Sequence, residues 1–319
     1  AVLVAAVFDA FLRIYECKAK ELIALATGAS GVLPPGELSA PLVDALTIAV
    51  CKIAGRFLDI MIRALDYCPP FDITFGEYLR AVITADRDLV PDDRRAYRVA
   101  ITAAFRARGI SPRDVRSVSP DTLAWETPDL HVSFKEVVDA MALDFPLDTT
   151  REEISRRSAH NARVFHDWLV QRAPDDWLTL FGIARVAGPM NKQATAADGT
   201  VTTIVGNVRG PEVHSVRTLR RVGPDGTIRS DLIVELTQSW YPADPKDGQR
   251  FRGGCTLIIA RDSGALNYVV RKRIDSSARY SSQATYVQRP LTGLRAAYFN
   301  ADSTVKSEPF AMLHTQDFE

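Results

Sequence analysis

In the first half of the chain, apolar residues recur at the spacing of an α-helix. Over residues 2–26, positions such as Leu3 and Val7 fall three or four residues apart, which places them on one helix face. The same spacing returns over 40–66 and stops at the two prolines of 69–70, because proline has no amide hydrogen to continue a helix. We therefore expect two long helices joined by a Gly- and Pro-rich loop.

Capping residues mark further helix starts. In a capping box, a Ser or Thr hydroxyl accepts the amide of the third helical residue, whose Glu side chain reaches back. This pattern predicts helices over 74–87, 133–143 and 150–173. Acidic residues at the positive end of a helix dipole predict one more, which opens at Pro91 and ends before Gly109. Single turns are expected at 119–120 and 177–181.

After about residue 182, the period of the apolar residues changes to two, as in a β-strand. Alternating or β-branched runs over 212–222 and 227–240 flank a Gly-Pro-Asp-Gly turn, and runs over 255–260 and 265–274 flank Asp-Ser-Gly. Paired runs around such a turn are typical of a β-hairpin. We therefore expect two hairpins in this half of the chain.

The change of period predicts an α+β fold, in which an all-helical bundle domain is followed by a smaller antiparallel domain rich in β-hairpins. We divide the chain into a helical domain of 1–124, a helical connector of 125–181 and a β-rich domain of 182–288. A polar stretch over 276–283 follows the second hairpin, and the tail of 289–319 lacks periodicity. We expect this tail to be loosely ordered.

The composition is that of an ordinary globular protein. Of 319 residues, 46% are apolar and 24% are charged, and 39 basic residues balance 39 acidic ones. A nucleic-acid-binding protein needs surplus positive charge against phosphate, so we expect no nucleic-acid partner. A transmembrane helix needs a run of about 18 apolar residues or more. The sequence lacks such a run, so we expect no membrane partner.

The cysteines bear on the cellular location of the protein, and the start of the chain bears on whether it is a piece of a longer one. Cys17, Cys51, Cys68 and Cys255 form no CxxC pair, so we expect buried reduced thiols. This slightly favours the cytoplasm, although the localisation stays open. The chain opens within an apolar helical run, without a basic segment or cleavage motif. We expect a piece of a longer protein, with a processed mature start as the alternative.

No catalytic motif is recognised in the sequence. Zinc peptidases carry HExxH, with two ligating histidines one helical turn apart, and none of the five histidines lies in that pattern. GxSxG, Cys/His signatures and phosphate-binding glycine loops are also absent. The Arg-Gly-Gly of 252–254 is too short to cradle phosphate and predicts a bulge or a strand entry. We assign no catalytic, cofactor-binding or metal-binding residue here. The histidines are His131, His160, His166, His214 and His314.

Charged clusters have structural interpretations beside functional ones. The aspartates of 92–93 and 175–176 lie at predicted helix starts, where carboxylates cap amides. Calcium binding over 86–93 is the alternative, because hard oxygen ligands are close together there. The basic runs of 220–221 and 271–273 lie on predicted strands. They form either a solvated strand face or a surface for an anion or a partner.

Two binding hypotheses remain beside enzymatic ones. Domain junctions favour pockets, so Trp177, Trp240 and Tyr241 could line a small-molecule site between the helical and β parts. The alternative for these residues is a plain core or rim position. The hairpins of 212–274 could instead present an edge or a basic face to a protein partner, which would make the chain a non-enzymatic interaction module.

The segment of 62–110 resembles the carboxy-terminal helical domain of the thermolysin-like zinc metallopeptidases, the gluzincin group. The resemblance rests on Arg63-Ala64-Leu65, on the run Asp-Ile-Thr-Phe-Gly-Glu-Tyr-Leu-Arg-Ala of 72–81, and on a last helix that ends with Phe105 and Gly109. Residues 1–15 are similar to the helix that follows the catalytic histidine of that family. The resemblance covers roughly residues 1–110.

The resemblance implies a part of an enzyme without its chemistry. In the family, the HExxH helix, the third zinc ligand Glu and the transition-state His all precede the helix that 1–15 resembles. We therefore expect a fragment whose full-length parent binds zinc and hydrolyses peptide bonds in a peptide or protein substrate. This chain alone is expected to hold no cofactor and to be inactive. The family gives no role to residues 125–319. Because the family is often secreted, the resemblance implies secretion as the alternative to the cytoplasm.

Overall fold

A computed structural model describes residues 2–288 together with 292 and 296. Within that span it leaves out 34, 114, 129–132, 145–148, 196–197, 223–225, 227 and 245–248. His131, His314 and the predicted loose tail, apart from residues 292 and 296, lie outside the described residues.

Helices make up the first part of the chain and return after the strands. The second helix continues directly into a single 3₁₀ turn, Ala64–Tyr67. The helices are α1 (Val2–Ala26), α2 (Ala40–Arg63), α3 (Phe75–Leu89), α4 (Tyr97–Arg106), α5 (Pro120–Leu123), α6 (Lys135–Asp139), α7 (Arg151–Gln171), α8 (Asp175–Phe181) and α9 (Ser277–Gln288).

The strands form one six-stranded antiparallel sheet and one small two-stranded sheet. They are β1 (Gly188–Pro189), β2 (Lys192–Thr195), β3 (Val201–Ile204), β4 (Gly206–Val208), β5 (Glu212–Val222), β6 (Ile228–Pro242), β7 (Phe251–Ala260) and β8 (Leu266–Lys272). The large sheet runs β1-β4-β6-β7-β8, and β5 also pairs with β6. Strands β2 and β3 pair with each other. The α+β fold class predicted from the sequence is confirmed.

The sheet is buried on both faces. On one side, alternate residues of β6 pack in one core with Phe165 and Leu169 of α7. On the other side, Ile258 and Tyr268 belong to the core of the amino-terminal helices. The amino-terminal helices and this face of the sheet therefore share one core. The predicted domain boundaries are not tested by this packing and stay predictions. The alternate residues of β6 on the first side are Leu232, Val234 and Leu236.

The long predicted helices and both hairpins are confirmed. The box at Thr74 is complete, because the Thr74 hydroxyl accepts the Glu77 amide and the Glu77 carboxylate accepts the Thr74 amide. At Thr150 the hydroxyl caps α7 by accepting the Glu153 amide. Gly109 adopts a left-handed φ of 67° after α4, as its position predicts.

Two predicted helix starts are wrong. The helix expected from Pro91 begins at Tyr97, after Ala96 in a left-handed conformation. Asp93 still caps it, but from outside, because its carboxylate accepts the Tyr97 amide at 2.7 Å. The box at Ser133 does not form either, since that residue makes a β-bridge to Ala265 and α6 covers only Lys135–Asp139.

Several short elements were not predicted. Strands β1 to β4 contain two to four residues each, too few for a period of two to be recognised. The polar stretch of 276–283 forms most of α9, which is held by tertiary contacts. Tyr280 packs edge-on against Trp240 at 5.2 Å between ring centroids. None of the described helices combines the length and apolarity needed to cross a membrane.

Candidate functional site

The residues singled out in the sequence do not converge on one site. His160 and His166 lie on α7 and His214 lies on β5. Among the described residues, no three His, Cys, Asp or Glu side chains are grouped so that they could hold a metal ion. No chemical step is therefore assigned to a metal here.

The aromatic residues proposed for a junction pocket belong to different packing clusters. Trp177 joins Phe134 and Trp168 under one face of the sheet. Trp240 is fully buried in a separate cluster with Phe251. Trp240 has the core position of the alternative interpretation, and Trp177 is partly buried against the other core. Tyr241 has the rim position, since it is partly exposed and the guanidinium of Arg209 lies 4.8 Å from its ring centroid.

The basic runs on the strands form structural contacts. Arg271 and Arg273 donate to the carbonyls of Leu180 and Thr179, at the end of α8, at 2.8 and 3.1 Å. Cations stabilise this negative end of a helix. Arg221 is buried and forms ion pairs with Asp88 and Asp231. These arginines are therefore not a free basic surface.

The Arg-Gly-Gly run of 252–254 lies at the second to fourth positions of β7. A Cβ atom on Gly254 would lie 2.0 Å from the carbonyl oxygen of Leu236, and one on Gly253 would lie 2.4 Å from the Cα of Ile274. The glycines therefore permit close approach of neighbouring backbone.

A first surface feature is an apolar stripe on α1, which consists of Val4, Phe8 and Leu12. These residues recur every four positions and so lie on one helix face. Val4 is 70% exposed and Phe8 is 59% exposed. The opposite face, with Ala10 and Ile14, is buried against the other helices. Large apolar groups exposed side by side are typical of a surface that another part of a protein covers.

A second feature is a cavity of about 480 Å³ between α2, the segment that precedes α4, and the end of β5. Its charged lining residues are Arg56, Asp59, Arg63, Asp86, Asp92, Asp93, Arg94 and Arg95. Its other lining residues are Ile60, Leu89, Val90, Tyr97 and Val222. All of these residues except Val222 belong to the helical part of the chain, so the cavity is a feature of the helices beside the end of β5.

Arg98 binds two of the carboxylates beside this cavity. Its Nη1 donates to Asp86 Oδ2 at 2.9 Å and to the Val90 carbonyl at 2.8 Å. Its Nε lies 3.8 Å from Asp93 Oδ2. A guanidinium thus stands among the aspartates for which calcium was the alternative. Burial raises the pKa of Asp86 to about 6, although the neighbouring Arg98 opposes the shift.

Two residues that line the cavity each have a buried donor without an acceptor. Arg63 Nη1 and Tyr97 Oη are buried and have no hydrogen-bond partner among the described residues. Tyr97 as a whole is only 9% exposed. A buried donor without a partner costs about 1–3 kcal/mol, and because solvent reaches neither atom, both lie behind the wall of the cavity.

The lining of the cavity combines charged and aliphatic side chains. Its described lining residues include no Ser, Cys, His or Lys, the side chains that most often act as nucleophiles or bases. The four arginines of the lining balance its four aspartates in charge.

The spacing of residues on α2 marks this cavity in the sequence. Arg56, Ile60 and Arg63 are spaced by four and three residues, so they share one face of α2. Charged residues that interrupt an apolar face usually have a partner, and here no described carboxylate forms an ion pair with either arginine within 4 Å. Comparison with protein-family models, with curated proteins and with solved structures gave no match.

Proposed function

We propose that this chain is the downstream, non-catalytic part of a thermolysin-like zinc metallopeptidase homologue. The parent protein would hydrolyse peptide bonds in a peptide or protein substrate. Two features support the proposal. The run of 72–81 and the helices around it resemble the carboxy-terminal helical domain of that family. The apolar stripe of α1 offers a surface on which the preceding catalytic part would pack.

The stripe carries the proposal. In the family, the helix that residues 1–15 resemble comes directly after the catalytic histidine, so its exposed face would meet the metal-binding part. Burial of apolar surface contributes roughly 25 cal/mol for each Å². A face with Val4 and Phe8 mostly exposed therefore gives the catalytic part a substantial area to cover.

The chemistry itself belongs to the residues that the family has before this helix. Zinc lowers the pKa of its bound water, and a glutamate accepts the proton. This chain would contribute the opposite wall of the substrate cleft and would hold no zinc alone.

A single substitution distinguishes a covered stripe from an ordinary exposed one. In this chain, Phe8→Ser is expected to change the free energy of unfolding by less than about 0.5 kcal/mol, since the ring is mostly exposed. In the longer protein from the gene, the same change is expected to cost about 3 kcal/mol, because the ring would be buried. Denaturant unfolding of both proteins measures the two values.

The buried Phe57 of α2 gives the matched control. It is only 4% exposed, so Phe57→Ser is expected to destabilise both proteins by about 3–5 kcal/mol. An equally small effect of Phe8→Ser in the longer protein would count against a covered stripe.

The gene is also informative by itself, because codons before Ala1 should encode HExxH and a later glutamate.

A further inference from the structure

We propose that the outer face of α2 binds the same face of a second copy of this chain, so that two α2 helices pair antiparallel in a dimer. The inference is independent of the proposed peptidase relationship, because it uses only residues of α2 and of the 3₁₀ turn that continues it.

The outer face of α2 carries a row of apolar or small residues, which we call the α2 seam. Its members are separated by alternating steps of three and four residues, the heptad spacing of a coiled coil. All of them are exposed, and its four large aliphatic side chains are each more than half exposed. The seam consists of Ile48, Cys51, Gly55, Leu58, Ile62 and Leu65.

The opposite face of α2 is already packed. Ile53, Phe57 and Ile60 lie in the core of the amino-terminal helices. A helix that is apolar on both sides is typical of a buried helix, and monomeric proteins rarely expose a long apolar patch. The seam is therefore suited to a partner helix with the same heptad spacing.

A second α2 helix offers that spacing in one symmetric register. In an antiparallel pair, the first apolar position of each heptad faces the second apolar position of the other helix. All six seam residues then find a partner twice, as a two-fold symmetric interface requires. Gly55 leaves room for the facing leucine, because a Cβ atom there would meet nothing within 4 Å. The register pairs Ile48 with Leu65, Gly55 with Leu58, and Ile62 with Cys51 of the second copy.

Charge selects the antiparallel orientation. Lys52 and Asp59 each follow a seam residue directly, so they flank the seam on one side. Both are exposed, and neither forms an ion pair with a described residue. In the antiparallel register, Lys52 faces Asp59 of the second copy, and symmetry repeats the pair. A parallel pair would place Lys52 beside Thr47 and Asp59 beside Ala54, although charges beside a seam normally set its orientation.

Analytical ultracentrifugation of the full chain tests the dimer. At about 100 μM we expect a mass near twice 35.2 kDa, which falls on dilution. Leu58→Ser is expected to raise the dissociation constant about tenfold or more, because it removes a seam side chain from each copy. Val201→Ser is the matched control, since Val201 is also 58% exposed but lies on β3 of the small sheet. Circular dichroism checks that both variants fold.

An exchange of charges tests the register. Lys52→Asp would place carboxylates against carboxylates at two points of the dimer, and Asp59→Lys would do the same with ammonium groups. Each change alone is expected to weaken the dimer about tenfold, because facing like charges repel. The double exchange restores both pairs, so we expect it to return the dissociation constant to within about threefold of the original value.

Cys51 tests the orientation in a chain that also carries Cys17→Ser. Oxidation is expected to join two chains only when Ile62→Cys is added, because Cys51 faces position 62 of the second copy. Within one helix these positions are about 16 Å apart, too far for a disulfide. A cross-linked dimer without Ile62→Cys would show that Cys51 faces its own copy, which contradicts antiparallel pairing.

Three further results would overturn the proposal. The first is a chain that stays monomeric up to about 1 mM, in which case something other than a second copy covers the seam. The second is that Leu58→Ser and Val201→Ser change the dimer equally. The third is that the double exchange of Lys52 and Asp59 leaves the dimer as weak as the single changes do.

Discussion

The four cysteine side chains divide into two reactive classes. Cys68 and Cys255 are buried, whereas Cys17 and Cys51 are exposed, and none forms a disulfide. The expectation of buried thiols is thus confirmed for two cysteines and wrong for the other two. Burial raises the pKa of Cys68 to about 12 and also raises the pKa of Cys255. The reactive thiolate is therefore scarce at both buried positions.

Thiol titration should separate the two classes. With a coloured disulfide reagent at pH 8, we expect rapid reaction of Cys17 and Cys51 and slow reaction of the buried pair. All four should react at once in denaturant. A Cys17→Ser, Cys51→Ser chain would then show no rapid phase, and a rapid phase in that chain would contradict the burial.

Lys192 gives a prediction for alkaline pH. Its ammonium is buried beneath Phe251, with Nζ 4.9 Å from the ring centroid, and donates to the Ile274 carbonyl. Burial lowers the pKa of Lys192 to about 8. Between pH 8 and 10.5 the unfolded chain binds a proton that the folded chain has lost, so this group makes stability rise with pH.

The comparison with Lys192→Met isolates that contribution. From pH 7 to pH 10.5, the free energy of unfolding of the unaltered chain should rise by about 3 kcal/mol relative to the variant. Tyrosines and cysteines titrate in both proteins, so their effects cancel in the difference. Denaturant unfolding at both pH values measures it, and a constant difference would argue against a depressed pKa.

Among the helices, two glycines respond to a methyl group in opposite ways. A Cβ atom on Gly76, in the first turn of α3, would lie 2.5 Å from the Cα of Pro112. The same atom on Gly55, inside α2, meets nothing within 4 Å. Alanine favours a helix by about 1 kcal/mol over glycine, so only the contact at Gly76 reverses the sign.

We therefore expect Gly55→Ala to stabilise the chain by about 1 kcal/mol and Gly76→Ala to destabilise it by about 1–3 kcal/mol. Thermal unfolding of both variants gives the two signs. Stabilisation by Gly76→Ala would show that the backbone of 111–112 does not press against α3.

Elements were predictable where their signal is local and long. The box at Thr74 and the repeat over 2–26 act within one or two helical turns, so the sequence alone identifies them. The polar helix α9 depends on distant partners such as Trp240, which no local pattern reveals. The aspartates of 86–93 beside the cavity form a local cluster in the sequence. No local pattern singles out their partner Arg98 or the neighbouring Tyr97.

At the scale of the whole molecule, ion pairs of β5 join the helical part to the sheet. The buried Arg221 pairs with Asp88 of α3 and Asp231 of β6. Arg217, which is half-exposed, bonds Asp66 at 2.8 Å and Glu235 at 2.7 Å. Pairs this remote in sequence cannot be predicted from periodicity, and they fix how the two parts sit together.

The two arginines should differ strongly in their energetic weight. Arg221→Met leaves buried carboxylates without their cation, so we expect a loss of about 3–5 kcal/mol in the free energy of unfolding. Arg217→Met removes two solvent-screened ion pairs and should cost about 1 kcal/mol or less. Urea unfolding measures both, and equal losses would contradict a buried bridge at Arg221.

The central proposal is that this chain belongs to a zinc peptidase homologue whose metal-binding residues lie elsewhere in the parent protein. Metal analysis of the purified longer protein, beside this chain alone, tests the claim most directly. We expect one zinc ion per longer molecule, with hydrolysis of an unstructured protein substrate, and no tightly held zinc in this chain. One tightly bound zinc per molecule of this chain, or a longer protein without zinc, would contradict the claim.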